Sequence, residues 1–199
     1  MKNKFLPFIL FGILGAFSGI EAQQPDKAAQ AEIAKKYPSL RLQIKVGKRN
    51  KPVQGSSFMK IMTMTPEVVV ESASTQPIAA MSATFLLITM ETESKYRRGD
   101  ELLTVATNES LEIPAVPKGV RRNFEFAPLE SRYDSDRDAT NVGGQVYKYY
   151  IAAVFADDKK LLHFETNCPE LDKHLKAHPE LREKFLAMKP EQTFRTRFQ

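Results

Sequence analysis

The sequence predicts a mainly β protein in which two antiparallel sheets stack as a sandwich, followed by a C-terminal helical extension. Short runs of alternating hydrophobic and polar residues recur along the chain, and Gly, Pro and Asn turn signals separate them. These runs do not alternate with helical patterns, which argues against a βαβ architecture. A hydrophobic content of 42% and a charged content of 27% are those of a globular protein.

The first residues, 1–22, have the pattern of a secretory signal peptide. A basic start precedes an apolar stretch, 5–20, and Ala22 supplies the small residue after which we expect cleavage. The apolar stretch is shorter than the roughly 20 residues of a spanning helix, so an uncleaved anchor is the weaker alternative. We therefore expect a mature chain without a membrane span, located in the periplasm, at the outer surface or outside the cell. Residues 23–38 lack an apolar stripe, which is typical of a linker or a weak helix.

Residues 39–167 contain the strands of the predicted sandwich, about eight in number. The strand-like runs are 40–46, 58–64, 68–70, 81–90, 102–106, 120–126, 147–155 and 161–166. Pro66 predicts a break between the second and third runs, and the Asn-Glu pair at 108–109 predicts a turn after the fifth. Apolar groups on both faces of 81–90 predict a central strand. Residues 132–144 are polar and predict a loop.

The last two runs predict an antiparallel hairpin around which the sheet is built. Alternation places one set of side chains on a single face, toward the core: Tyr147, Tyr149, Ile151, Ala153 and Phe155, with Leu162 and Phe164 as cross-strand partners. Lys148 and Tyr150 fall on the opposite face, where we expect them to be available for contact with a partner.

Residues 168–199 predict a helical extension that lies against the sandwich. Leu171 and Leu175 share one helical face, and an apolar stripe continues beyond Pro179. Cys168 stands at the predicted helix N-terminus, where the helix dipole favours a reactive thiol or an intermolecular disulfide; the alternative is a small buried residue. Because Cys168 is the single cysteine, the sequence excludes an internal disulfide.

Two patterns suggest metal ligands. Asp134, Asp136 and Asp138 alternate as in a calcium-binding loop, although the sixth and twelfth positions lack the Gly and Glu that such a loop uses. The alternative is a solvated loop between strands. His174 and His178 share a helical face, but this spacing defines a zinc site only with further ligands. Weakly bound calcium is therefore the one cofactor that the sequence suggests.

Contact surfaces are predicted mainly in two loops, 93–100 and 132–144. The first contains Arg98-Gly99-Asp100, a tripeptide that integrins recognise and that also forms ordinary turns. The net charge of +5 is mild and does not favour a nucleic-acid partner. The densest basic residues indicate a solvated strand face or, alternatively, a polyanion contact: Lys35, Lys36, Arg41, Lys45, Lys48, Arg49 and Lys51.

With Gly143-Gly144 before the hairpin and two tyrosines in its first strand, residues 40–166 resemble an immunoglobulin-like β-sandwich. The resemblance implies a tyrosine corner at Tyr147 or Tyr149, and the Cys…Trp…Cys core of antibody domains is absent. A secreted domain of this kind is also loosely similar to pilus-associated surface proteins of mucus-dwelling gut bacteria. That similarity implies a role at the host interface. Cleavage after Ala22 favours an accessory or adhesin-like protein over a pilin subunit.

Catalytic patterns are not visible in the sequence: it shows no Ser-His-Asp arrangement, no phosphate-binding glycine loop and no paired carboxylates on one element. We therefore expect a non-enzymatic protein that acts by protein or glycan contact. One alternative is a periplasmic accessory subunit, docked into an envelope assembly by its C-terminal helix. Another is a small hydrolase whose site the sequence does not reveal. The sequence does not predict an oligomeric state.

Overall fold

The computed structural model describes residues 33–73, 75–96, 101–136 and 138–195. These residues form nine strands: β1 (Leu40–Pro52), β2 (Met59–Ser72), β3 (Met81–Glu91), β4 (Leu102–Ile113), β5 (Arg121–Glu125), β6 (Leu129–Asp134), β7 (Gln145–Ala156), β8 (Leu161–Thr166) and β9 (Thr193–Arg195). Two helices lie between β8 and β9, α1 (Pro169–Ala177) and α2 (Leu181–Leu186), and a 3-10 turn spans Ser94–Tyr96. The predicted signal peptide lies outside the described residues.

The strands pair into two antiparallel sheets. In the first sheet β2 is shared, with β1 on one side and both β5 and β6 on the other. The second sheet has the order β8-β7-β3-β4-β9. The predicted central position of residues 81–90 is confirmed, since β3 pairs with both β4 and β7. A mainly β fold of two antiparallel sheets is therefore confirmed as well.

β2 is one continuous strand, although Pro66 predicts a break. Met64 is the last residue of β2 that pairs with β6, and Glu67 is the first that pairs with β5, so Pro66 falls in the gap between these two partners. The Phe126 N–H donates to the Pro66 carbonyl at 3.0 Å, which shows that Pro66 faces this gap. Because the amide and carbonyl of a strand residue point the same way, the missing N–H of Pro66 interrupts no ladder bond.

Two other parts of the sheets differ from the prediction. β4 runs through residues 108–109, where a turn is predicted, because Asn108 and Glu109 pair in regular register with β3; the irregularity in this strand is a bulge at Ala106. β6 occupies residues that are in part predicted as loop. Its polar side chains Glu130 and Arg132 are exposed while the backbone pairs with β2, so the strand lacks a strong apolar signal.

The predicted hairpin is present as β7 and β8. The prediction from simple alternation of which β7 side chains share one face of the sheet is wrong. Tyr149 pairs with Ile88 and Tyr147 pairs with Thr89, so Lys148 is a bulged residue without a partner on β3. A one-residue bulge inverts the alternation, which places Tyr147 and Tyr149 on opposite faces of the sheet.

One hydrophobic cluster lies between the two sheets. From β7 it takes Tyr150, Ala152 and Val154, and from β3 it takes Phe85 and Leu87. The even-numbered residues of β7 therefore face the inter-sheet core, where the sequence predicts the odd-numbered ones. Val68 and Val70 of β2 complete the same cluster from the first sheet, and both are fully buried.

A second cluster covers the outer face of the second sheet. It joins Tyr149 and Ile151 of β7 to Leu171 and Leu175 of α1, which are almost completely buried. Asn108 of β4 fastens the end of α2, since its side-chain amide donates to the carbonyls of Leu186 at 2.9 Å and Met188 at 2.6 Å. The helical extension therefore lies against the sheet, as the sequence predicts.

Candidate functional site

Three connections meet at one end of the two sheets. The Thr92 N–H donates to the Gly144 carbonyl at 2.8 Å, which joins the β3–β4 connection to the β6–β7 connection. The Ser135 N–H donates to the Phe58 carbonyl at 2.9 Å, which joins the β6–β7 connection to the β1–β2 connection. We call this surface the loop end and define it by residues 53–58, 92–96, 135–136 and 138–144. The described parts of the two predicted contact loops are thus brought together.

Two carboxylates hold the backbone of the loop end in place. Glu91 Oε1 accepts from the N–H groups of Gly144 at 2.7 Å, Thr92 at 3.0 Å and Glu93 at 3.3 Å. Asp134 is only 3% exposed, and its two oxygens accept from backbone amides of the β6–β7 connection. Charge-assisted hydrogen bonds of this kind are stronger than neutral ones, so they order loops that would otherwise be free to move.

Glycine geometry fixes the β6–β7 connection further. Gly144 has a φ of 108°, and a Cβ at this position would lie 2.3 Å from the Arg132 carbonyl oxygen. Gly143 has a φ of 91°, also in the left-handed region that favours glycine. The chain therefore enters β7 through two residues whose conformation and spacing exclude a side chain.

The aspartate loop is folded on itself. Asp134 binds backbone amides, and Asp138 Oδ1 accepts from the amide of Thr140 at 2.8 Å and from its hydroxyl at 2.7 Å. Burial and the negative charges of Asp134 and Asp138 raise the pKa of Asp136. Within the described residues, no three His, Cys, Asp or Glu side chains converge as metal ligands. The three predicted calcium ligands therefore lie near one another, but within the described residues they do not form a group that could hold a metal ion.

His174 of α1 and His178, the residue after the end of α1, lie together, as their spacing predicts. The ring centroids of His174 and His178 are 5.0 Å apart. His178 Nδ1 also lies 3.4 Å from Glu180 Oε1. In the described part of the chain, no third ligand completes a metal site around this pair.

Exposed apolar side chains distinguish the loop end from the rest of the surface. Among the described residues, the exposed large hydrophobic side chains are Phe58, Val142 and Leu161, with exposures of 39%, 70% and 39%. Phe58 and Val142 both belong to the loop end, whereas Leu161 begins β8 after the turn at the opposite end. A depression of about 770 Å³ also opens here, with Lys60 and Tyr96 in its lining.

Sequence reasoning did not identify Phe58 or Val142 as contact residues. Phe58 is predicted as the first residue of a strand, and Val142 as part of a polar loop. For Val142 the sequence does contain a signal: an apolar residue stands inside the turn-forming segment Asn141-Val142-Gly143. A turn has no alternating pattern that would bury such a side chain.

The predicted contact residues of the hairpin have other roles. Tyr150 is only 6% exposed, its ring stacks on Phe85 with centroids 5.6 Å apart, and its hydroxyl donates to Glu165. It is a core residue, so its prediction as a contact residue is wrong; the bulge at Lys148 inverts the faces. Lys148 itself is partly exposed and forms an ion pair with Glu101 at 2.7 Å. Its ammonium group is therefore engaged within the domain.

A hydrogen-bonded chain at the edge strand β8 was not predicted from the sequence. Glu165 accepts from the Tyr150 hydroxyl with one carboxylate oxygen, and its other oxygen lies 3.0 Å from His163 Nε2. Burial, followed by the hydrogen bond and negative charge of Glu165, raises the pKa of Tyr150. Tyr150, Glu165 and His163 thus form a hydrogen-bonded network at the edge of the inter-sheet core, in which the polar groups are partners of one another.

Neither hairpin tyrosine makes a tyrosine corner, which requires a hydroxyl bond to upstream backbone. The Tyr147 hydroxyl accepts from the Asn167 side chain at 2.8 Å. The Tyr149 hydroxyl is buried and has no hydrogen-bond partner among the described residues. This implication of the immunoglobulin-like resemblance is therefore wrong in its detail.

Cys168 is partly buried at the start of α1. Its thiol donates to Glu170 Oε2 at 3.5 Å, and burial is the main cause of a raised thiol pKa. The local environment thus acts against the thiolate that the helix-dipole argument favours. The tripeptide Arg98-Gly99-Asp100 lies outside the described residues.

Several of the basic residues are paired or stacked. Lys36 binds Asp157 at 3.1 Å, and the Lys48 ammonium lies 4.9 Å from the centre of the Tyr147 ring. Arg41 and Lys45 lie 3.5 Å from Glu71 and Glu67 on the neighbouring strand. These pairs across β1 and β2 are the arrangement of a solvated sheet face.

Comparison with known proteins gives distant structural similarities only. No family model matches the chain, and no curated protein matches it significantly. A crystal structure from Akkermansia muciniphila aligns with a TM-score of 0.34 and 13% identity over 77% of this chain and 80% of that chain. A Bordetella pertussis structure that bears the name ApaA aligns with a TM-score of 0.26 and 9% identity over 64% of this chain and 92% of that chain.

A third structure, a structural-genomics target, aligns with a TM-score of 0.24 and 8% identity over 65% of this chain and 86% of that chain. At these identities and scores, the three similarities carry no argument about the function of this chain. Neither helix between β8 and β9, nor any other helix in the described part of the chain, has the length and hydrophobicity to cross a bilayer.

Proposed function

We propose that this protein is a non-enzymatic binding domain whose loop end makes the contact with a protein or glycan partner. The proposal rests on one observation: the loop end combines a backbone fixed by hydrogen bonds with exposed apolar side chains. Glu91 and Asp134 fix the backbone by hydrogen bonds, and Phe58 and Val142 project from it with large exposed areas. A rigid frame lowers the entropy lost on binding, and exposed apolar groups supply the area to be buried.

The proposal places the domain in the cell envelope, at the outer surface or outside the cell. The leader pattern of residues 1–22 supports export. A pilus-associated or adhesive role at the host interface is the form of the proposal that the sequence resemblance favours. It involves no catalytic step, no cofactor and no nucleic-acid partner.

An immunoglobulin-like topology is part of the same proposal. With β1, β2 and the β5–β6 pair as strands A, B and E, and with β3, β7 and β8 as C, F and G, the sheets have the orders A-B-E and G-F-C. These orders are those of immunoglobulin-like sandwiches, which supports the assignment. The connections at the ends of such sandwiches are common binding surfaces.

A capture experiment tests the contact surface. The purified protein is immobilised, incubated with detergent extract from the cell envelope of the producing organism or with an array of surface glycans, and the retained partner is identified. We expect the double variant Phe58→Ser and Val142→Ser to weaken binding of that partner roughly thirtyfold, the effect of losing about 2 kcal/mol of buried apolar contact.

Leu161→Ser is the matched control, because Leu161 has the same exposure as Phe58 and lies at the opposite end of the sandwich. It should bind the partner as the unchanged protein does. Equal loss of binding in the control, or full binding by the double variant, would refute the assignment of the loop end. Circular dichroism of all variants verifies that each is folded.

The alternative of an accessory subunit docked by its C-terminal helix receives less support. Leu171 and Leu175, which carry the apolar face of α1, are already buried against the second sheet. An intermolecular role for that face would require α1 to leave the domain and expose Ile88 and Ile151. The loop end offers apolar surface without such a cost.

A further inference from the structure

A second concave surface lies where α1, α2 and β9 meet. It is a groove of about 580 Å³, separate from the loop end, and its volume is within the range of small-molecule sites. Four large apolar side chains contribute to its lining: Leu181, Phe185, Met188 and Phe194. We call it the C-terminal groove.

The apolar wall of the C-terminal groove is partly buried and fixed. Phe185 and Phe194 meet edge to face with ring centroids 6.3 Å apart, and both pack against the cluster beneath α1. Asn108 holds the backbone next to Met188 by its bond to the Met188 carbonyl. The wall is therefore formed before any ligand arrives, which reduces the entropic cost of binding.

The charged residues of the C-terminal groove have one sign. Its lining contains the cations Lys184 and Arg195, together with His174, and no Asp or Glu among the described lining residues. Lys184 is exposed and forms no ion pair with the described residues. A ligand that places an anionic head beside these groups and an apolar tail along Phe185 and Phe194 would match both features of the groove.

We propose that the C-terminal groove binds an apolar carboxylate, such as a long-chain fatty acid, with the carboxylate toward Lys184 and Arg195 and the hydrocarbon along the aromatic wall. This site is independent of the loop end. The carboxylate is ionised at neutral pH, so the pairing is charge-assisted on both sides. Neutral and cationic amphiphiles of the same length fit the wall equally well but lack the complementary charge.

Nuclear magnetic resonance of methionine methyl groups tests this proposal directly. Met188 lines the C-terminal groove, while Met62 and Met64 lie between the two sheets and serve as internal references. We expect dodecanoate, added below its micelle concentration, to shift the Met188 methyl signal saturably and to leave the Met62 and Met64 signals in place. Dodecanol and dodecyltrimethylammonium should bind more weakly.

Two matched variants test the charge contribution. Lys184→Ala should weaken dodecanoate binding about fivefold, the effect of losing one exposed ion pair of the stronger kind. Lys189→Ala removes the same charge from a nearby lysine outside the lining and should bind dodecanoate as the unchanged protein does. Both positions are exposed, so neither substitution disturbs the core.

Three outcomes would overturn the proposal. Equal binding of dodecanoate and dodecyltrimethylammonium would indicate adsorption to apolar surface without charge recognition. If Lys184→Ala and Lys189→Ala weakened dodecanoate binding equally, the assigned contact between the carboxylate and Lys184 would be refuted. A Met188 shift that depends on protein concentration, with a larger mass in solution, would assign the groove to a second copy of the chain.

Discussion

Tyr149 contains a buried hydroxyl whose removal should stabilise the protein. The side chain is 2% exposed, and its oxygen has no hydrogen-bond partner among the described residues. Burial raises the pKa of this hydroxyl, so it remains neutral in any ordinary buffer. Tyr149→Phe keeps the ring that packs in the second cluster and removes only the unsatisfied oxygen.

The expected change in the free energy of unfolding of Tyr149→Phe is the sum of two opposing effects. A buried polar group without a partner costs about 1–3 kcal/mol, which the substitution recovers. The void left by one oxygen is about 10–15 Å³, and at about 24 cal/mol per Å³ it costs roughly 0.3 kcal/mol. We therefore expect the free energy of unfolding to rise by about 0.7–2.7 kcal/mol. For a chain of this length, that corresponds to a rise of roughly 1–11 °C in melting temperature.

Tyr147→Phe is the matched control in the same strand. Its hydroxyl accepts from Asn167 at 2.8 Å, so its removal should lower the free energy of unfolding by about 0.5–1.5 kcal/mol. Urea unfolding, monitored by far-ultraviolet circular dichroism, measures the free energy of unfolding of both variants. The two values can be compared if the m value is unchanged by the substitutions. A loss of stability in Tyr149→Phe as large as that in Tyr147→Phe would refute the reasoning.

Three further predictions concern the loop end, the aspartate loop and the start of α1. Gly144→Ala should lower the free energy of unfolding by about 3 kcal/mol or more, because the added Cβ would collide with the main chain of β6. Gly55→Ala is the control: Gly55 has a φ of 78° and open space around it, so this substitution should lower the free energy of unfolding by only about 1 kcal/mol. Thermal unfolding measures both variants. Asp136→Asn should raise the melting temperature at pH 7, because a carboxylate whose pKa is raised on folding destabilises the folded state when charged. This gain should vanish as the pH falls below the unfolded pKa of aspartate, and a gain independent of pH would contradict the assignment. Cys168 should react with iodoacetamide at pH 8 more slowly than a cysteine in an unfolded peptide, and Glu170→Gln should accelerate the reaction; mass spectrometry follows both.

The sequence predicts the parts of the fold in which alternation and local signals agree. The β7–β8 hairpin, the central strand β3 and the helices packed by Leu171 and Leu175 all belong to this class. In each, the apolar period matches the element that forms. The presence of two sheets follows from the number of strands and the spacing of turns, without knowledge of their order.

The errors come from interactions that no local pattern contains. Lys148 is bulged because β3 and β7 shift register, and a shift between strands is not visible in either strand alone. Pro66 is accommodated because β5 and β6 leave a gap beside it, which depends on strands that lie more than fifty residues away. The same limit applies to the loop end, since alternation does not show which loops share one end of a sandwich.

The outer cluster of the second sheet makes the order of synthesis important for this protein. Leu86, Ile88 and Ile151 are in place once β7 is made, but Leu171 and Leu175, which cover them, are added only afterwards. Until α1 emerges, the second sheet, which then lacks only β9, presents a bare apolar face, the kind of surface that chaperones bind and that aggregates. A chain that stops before residue 168 would retain that face permanently. The helix that follows β8 is thus the segment that covers this face and lowers its tendency to aggregate.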